Sequence, residues 1–218
     1  MFTETDRLFF RQWLRNPLKI GALAPSSREL AESMARLVPM PLAGPVIELG
    51  GGTGPVTTAL LDAGAPPDQL YVIERDPTLH HHLTRRCPAV HVIRGDAAEL
   101  TRILRPLGVH DAAAVVSGLP LLSMKRSVQR AIIEESFAML APGAPFIQFT
   151  YGLFSPVPRR AFGVVGRVQD HVLTNLPPAR VWVYRRPASG GRDAPRPVGG
   201  ARFSKDGQRD QRGSSGRK

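Results

Sequence analysis

One cysteine in 218 residues, Cys87, leaves no partner for an intrachain disulfide and fits a reducing compartment. No apolar run approaches the roughly 20 residues that a membrane-crossing helix needs, and the N-terminus lacks the apolar core of a signal peptide. Acidic residues are the scarcer charge. Against 29 Lys and Arg stand 18 Asp and Glu, a formal net charge of +11 that favours anionic surfaces, either nucleic acid or acidic lipid. Residues 187–218 hold eight Lys or Arg against three Asp among Gly, Pro and Ser, which predicts a disordered basic tail, solubilising or binding. The remainder is still basic, and a hydrophobic content of 42% over this length provides for one substantial core.

Paired metal ligands are also missing. His80, His81 and His82 are consecutive, so on a helix they point about 100° apart, and with Cys87 and His91 they make no zinc-type spacing. Asp76-Pro77 reads more simply as the cap of the helix that carries them. No metal is expected.

Two absences narrow the most distinctive stretch, Val46-Ile47-Glu48-Leu49-Gly50-Gly51-Gly52-Thr53-Gly54-Pro55, which reads as a buried strand, a turn and a helix start. Alternating Gly50, Gly52 and Gly54 allow left-handed backbone angles and close approach by a ligand. A dinucleotide fingerprint would place its third glycine where Pro55 stands, and a phosphate loop would continue with Gly-Lys-Ser/Thr, of which there is no trace. Pro55 suits the first helical position instead.

The pattern Glu48-x-Gly50-x-Gly52-x-Gly54 resembles the first motif of class I S-adenosylmethionine-dependent methyltransferases. The apolar run Leu70 to Ile73 ends in Glu74, suited to bidentate bonding of ribose hydroxyls. The run Val90 to Ile93 leads to Asp96, which the resemblance casts as acceptor from the adenine amine. A fourth strand, Ala112 to Val116, leads to Ser117-Gly118-Leu119-Pro120, where such enzymes line the transfer site. Glu48, Gly50, Gly52, Gly54, Glu74, Arg75, Asp96, Ala97 and Ser117 are therefore the expected cofactor contacts. Each lies at a strand's carboxyl end, where open α/β sheets bind ligands.

The first twenty residues form a second signal. Thr3 and Asp6 are spaced as an N-cap and its third-position acid, and the helix they open runs to Asn16 before Pro17. Phe2, Phe9, Phe10, Trp13 and Leu14 share one arc beside Arg7, Arg11 and Arg15. That pattern suits a helix at a membrane surface, through Phe9, Phe10, Trp13, Arg7 and Arg11, and equally a helix docked on a core. Ser26 or Ser27 then caps a second helix reaching about Leu37.

Phe9-Phe10, Trp13-Leu14, Pro17-Leu18, Ile20-Gly21-Ala22 and Pro25-Ser26-Ser27 resemble bacterial phospholipid N-methyltransferases of the soluble, peripheral type, which methylate phosphatidylethanolamine. The likeness continues through Ser117-Gly118-Leu119-Pro120, Gln148-Phe149-Thr150-Tyr151-Gly152 and Asn175-Leu176-Pro177-Pro178-Ala179, covering residues 7 to 186. It implies methyl transfer from S-adenosylmethionine to phosphatidylethanolamine and its methylated forms, towards phosphatidylcholine, leaving S-adenosylhomocysteine. It also implies a cytoplasmic protein peripheral on the inner face of the membrane.

Ribosomal RNA adenine dimethyltransferases are the main rival, with a noncatalytic nucleic-acid-binding protein behind them. The RNA enzymes carry Asn-Leu-Pro-Tyr/Phe after the fourth strand, whereas Ser117 and Leu121 stand here, without the amide's donor and acceptor or a ring to stack a base. Nucleic acid is not the expected partner.

Tyr151 and Ser117 are the candidate catalytic residues, with Tyr151 placed to meet the lipid phosphate or a methylated ammonium. Arg159 and Arg160 are candidates for the lipid phosphodiester, or else an exposed basic pair. The expected architecture is α/β: a Rossmann-like, mostly parallel sheet of about seven strands with helices on both faces. The late strands fall at Val164 to Gln169 and Arg180 to Arg185, the last hairpin partly antiparallel, with an N-terminal amphipathic helix. The organisation is a helical segment 1–40, a methyltransferase domain 41–186 and the tail 187–218.

Overall fold

The computed structural model describes residues 28–152, 154–174 and 178–187. The expected amphipathic helix, with Arg7, Phe9, Phe10, Arg11 and Trp13, and the basic tail from residue 188 onward lie outside these.

Seven strands form one sheet in the order β3-β2-β1-β4-β5-β7-β6. They are β1 (Val46–Leu49), β2 (Leu70–Glu74), β3 (His91–Arg94), β4 (Ala114–Ser117), β5 (Phe146–Thr150), β6 (Val165–Val172) and β7 (Ala179–Arg185). The first five are parallel; β7 runs antiparallel between β5 and β6. Four buried residues in β1, none of them facing water, mark it as a central strand covered on both sides.

Helices supply that cover. On one face α1 (Arg28–Ala35), α2 (Pro55–Asp62) and α3 (Pro77–Arg86) pack Leu30, Met34, Leu60 and Leu83 over Val46, Val72, Val116 and Ile147. On the other, α4 (Leu100–Leu104) and α5 (Arg126–Met139) pack Leu104, Ile133 and Phe137 over Ile47, Leu49, Val115 and Phe146. Adjacent strand residues thus serve opposite cores, as the pleat requires. Glu135 joins α4 to α5 by accepting from both Thr101 N and Thr101 Oγ1 at 2.7 Å.

Three boundaries differ from expectation. The fourth strand begins at Ala114, because Ala112 is held aside in a lone bridge to Leu140. The sixth continues through Asp170 and His171 to Val172, past a register shift between Val168 and Asp170 that breaks the alternation. The first described helix ends at Ala35, and Leu37 and Val38 follow in tighter turns onto Met34 and Ala35.

Candidate active site

The glycine turn is tied to the neighbouring strand. Gly50 N–H donates to Ile73 O at 2.8 Å, and Gly52 N–H to Glu74 Oε2 at 2.9 Å. Gly50, Gly52 and Gly54 have φ of 73°, 57° and 93°, left-handed angles that glycine adopts without penalty. Gly51 has a different reason: a Cβ there would stand 2.4 Å from Val72 Cγ1 and 2.6 Å from Leu83 Cδ2. Among the described residues a Cβ at Gly52 would meet nothing within 4 Å, so this residue is the open side of the turn. Pro55 opens α2.

Two buried carboxylates flank it. Glu74 ends β2, its Oε1 accepting from Asp76 N at 2.8 Å and its Oε2 from Gly52. Each oxygen keeps a second lone pair, so the same carboxylate can bind a pair of hydroxyls. Glu48 lies beneath the turn and α2, its Oε1 3.8 Å from where a Cβ on Gly51 would stand and its Oε2 accepting from Thr57 Oγ1 at 2.6 Å. Burial pushes the Glu48 carboxyl up to about 7, against the Thr57 hydrogen bond and reinforced by the charge of Glu74. Thr57 was invisible as a site residue in the sequence; a hydroxyl in the first turn of a helix packed over a strand carboxylate is the signal that could have found it.

Asp96 follows β3 and accepts from Ala98 N at 2.9 Å, while its Oδ2 lies 3.4 Å from Arg75 Nη1. Arg75 is exposed, and Ala97 is buried against the core with Ile73 and Leu100. Glu74 and Asp96 therefore stand at the ends of adjacent strands, beside the turn.

The acceptor side begins at Ser117. Gly118 N–H donates to Leu49 O at 2.8 Å, and a Cβ on Gly118 would lie 3.0 Å from Gly50 O, so this loop rests against the glycine turn. Ser117 is fully buried and its Oγ accepts from Leu119 N at 3.3 Å; the hydroxyl shapes its own loop. Tyr151 is half-buried, edge-on to Phe149 with ring centroids 5.2 Å apart. It lines a cleft with Pro120, Leu121, Leu122, Ser123, Phe149, Thr150 and Pro156. The buried Tyr184 braces one wall through a 2.8 Å hydrogen bond with Ser155 Oγ, and Gln129 Nε2 donates to Pro156 O at 3.0 Å.

Arg159 and Arg160 sit on the short helix α6 (Arg159–Phe162), both exposed and neither lining that cleft. Arg159 Nη1 turns back to Gly166 O at 3.2 Å. The histidines are likewise apart from the site. Asp76 caps α3 through Thr78 N and Leu79 N, His80 reaches Val92 O, and His91 stacks on Tyr71 at 4.6 Å. No group of metal ligands forms among the described residues.

No family model matches the chain. The ornithine lipid N-methyltransferase of Singulisphaera acidiphila is 36% identical over 183 residues, 82% of this chain and 94% of that enzyme. The chain belongs to this lipid N-methyltransferase family. The ribosomal RNA small subunit methyltransferase A of Opitutus terrae is also 36% identical, but over 80 residues, 34% of this chain and 28% of that enzyme. Among solved structures, TrmN of Thermus thermophilus superposes with a TM-score of 0.53 at 18% identity, covering 73% of this chain and 48% of that one. At that identity the likeness is one of fold, the class I methyltransferase sheet. For this family member the cofactor is S-adenosylmethionine, and the glycine turn, Glu74 and Asp96 are the groups that fit it: an open backbone, a carboxylate for hydroxyls and an acceptor for an amine.

Proposed function

We propose that the chain methylates the terminal amine of a membrane lipid, with phosphatidylethanolamine and an ornithine lipid as the two acceptors to be compared. The observation that carries this reading is the identity with an ornithine lipid enzyme along nearly its whole length. Both lipids present a primary aliphatic amine near an anionic group, a phosphodiester in one and a carboxylate in the other.

In the reaction the neutral amine attacks the sulfonium methyl in line. The new N–C bond forms as the S–C bond breaks, sulfur keeps the electron pair as S-adenosylhomocysteine, and the methylated ammonium so formed releases an N–H proton to water. Positioning and exclusion of water supply the acceleration. Glu74 and Asp96 orient the donor, and the loop 117–120 with the Tyr151 cleft receives the amine. Tyr151 offers the methylated ammonium a ring face or edge, or the anionic group a hydroxyl.

Docking on an anionic bilayer fits the exposed apolar side chains Phe154, 64% exposed, and Leu173, 75% exposed. They follow β5 and β6 at the sheet end that bears the glycine turn. The sequence adds Phe9, Phe10, Trp13, Arg7 and Arg11, aromatic and basic residues whose chemistry suits a contact with the inner membrane face. No described helix is long and apolar enough to cross a bilayer.

The test supplies labelled S-adenosylmethionine with anionic vesicles containing either phosphatidylethanolamine or an ornithine lipid, and separately with unmodified ribosomal RNA. Label in one or both lipids supports the reading and names the acceptor. Label in RNA alone overturns it.

A further inference from the structure

Ser117 and Gln148 are register partners on adjacent parallel strands, and both are fully buried. The Gln148 side chain donates through Nε2 to Leu119 O and to Phe149 O, each at 2.9 Å. Its Oε1 is buried with no partner among the described residues, as is Nε1 of Trp182, the residue opposite Gln148 on β7. Carbonyl oxygens accept only, so two carbonyl partners fix which end of the amide faces them. A buried side-chain amide that leaves its own acceptor unsatisfied costs free energy, and the compensation visible is the grip on Leu119.

We infer that Gln148 is the positioning residue of the acceptor loop: by holding the Leu119 carbonyl it sets where the loop 117–120 stands between the glycine turn and the incoming amine. The Leu119 carbonyl also accepts from Leu121 N at 2.9 Å within the loop, so the Gln148 side chain fastens that turn to β5 rather than forming it. Ser117 Oγ reaches Leu119 N only at 3.3 Å, while Gly118 packs on the turn through Leu49 O and Gly50 O. Leu119 is the pivot between them, since its side chain lies where a Cβ on Gly50 would go, 2.6 Å from Leu119 Cδ2. Moving the Leu119 carbonyl therefore moves a backbone that lines the acceptor cleft through Pro120 and Leu121, while the glycine turn keeps its own ties to Ile73 O and Glu74 Oε2. The carboxamide that Ser117 does not provide in the loop is supplied one strand away, turned to hold the loop rather than to face the acceptor.

Activity interprets this inference through the proposed lipid reaction, so the test pairs it with a measurement that needs no acceptor. Gln148→Met keeps length and apolar volume and removes both donors; Gln148→Leu serves if the first variant does not fold. Hydrogen exchange by mass spectrometry on the full chain reads the peptide spanning 117–124, expected to exchange about tenfold faster in the variant, with the peptide spanning 46–54 unchanged. With the accepted lipid, KM or kcat for the acceptor is expected to worsen by about tenfold while the dissociation constant of S-adenosylmethionine stays within about twofold. Equal exchange in the 117–124 peptide, or cofactor affinity falling in step with acceptor kinetics, overturns the inference. Should the wild type methylate no lipid, the lipid assignment fails and the exchange result alone decides the role of Gln148.

Discussion

Thr57 Oγ1 donates to Glu48 Oε2 at 2.6 Å beneath the cofactor turn, where Glu48 is 1% exposed. Burial lifts this carboxyl from an ordinary 4.5 to about 7, so between those values the folded protein binds a proton that the unfolded chain releases. The associated stability is present in full below pH 4.5 and is lost as pH rises through about 7, up to about 3 kcal/mol. Glu48→Gln removes that titration. Urea unfolding at pH 5 and pH 8 is expected to show the wild type losing stability relative to the variant at the higher pH; parallel pH profiles would deny the buried carboxyl its role.

Glu74 braces Gly52, and on the proposed reading it also binds the ribose hydroxyls, so Glu74→Ala would remove a brace and a ligand together. Cofactor affinity is expected to fall by about 10- to 100-fold, the loss of one or two hydrogen bonds to a charged group. Calorimetric titration with S-adenosylhomocysteine measures it, and an unaltered constant removes the ribose assignment.

Adjacent glycines are expected to lose stability for different reasons. Gly51→Ala drives a methyl group into Val72 and Leu83, a core clash costing about 1–3 kcal/mol of stability. Gly52→Ala meets no neighbour and carries only the left-handed backbone penalty of about 1–2 kcal/mol, with its methyl group on the side a ligand would use. Denaturation curves and cofactor titrations of the two variants separate these effects: Gly52→Ala should lose more cofactor affinity than Gly51→Ala for the same loss of stability.

Vesicle docking is read by sedimentation with anionic liposomes. Phe154→Ser with Leu173→Ser, and separately Phe10→Ala with Trp13→Ala, are expected to weaken binding several-fold while cofactor affinity holds. If both pairs sediment as the wild type does, these side chains do not carry the contact.

Much of the cofactor half was legible because strand, turn and cap signals there are local. Leu70 to Glu74 is an apolar run ended by a carboxylate, and Asp76-Pro77 caps α3 as its order demands. The far edge of the sheet was harder to read, since the edge strand β6 carries Asp170 and His171 and a bulge that resets its alternation. Thr57 and Gln148 escaped for another reason. Their partners Glu48 and Leu119 lie 9 and 29 positions away, and only the packing of α2 on β1 and the register of β4 against β5 bring them together. That the acceptor is a lipid amine was legible through likeness to a family, a kind of information that composition and periodicity do not contain.

Because β7 runs against its neighbours, the chain reaches Arg185 opposite Val165, at the amino end of the parallel strands. A fluorophore or immobilisation tag attached at Pro187 therefore stands about 20 Å, one strand length, from the rim that carries Gly52, Asp96 and Tyr151. Tethering the enzyme there to a sensor surface points its working end outward, so captured vesicles can reach it without displacing the anchor.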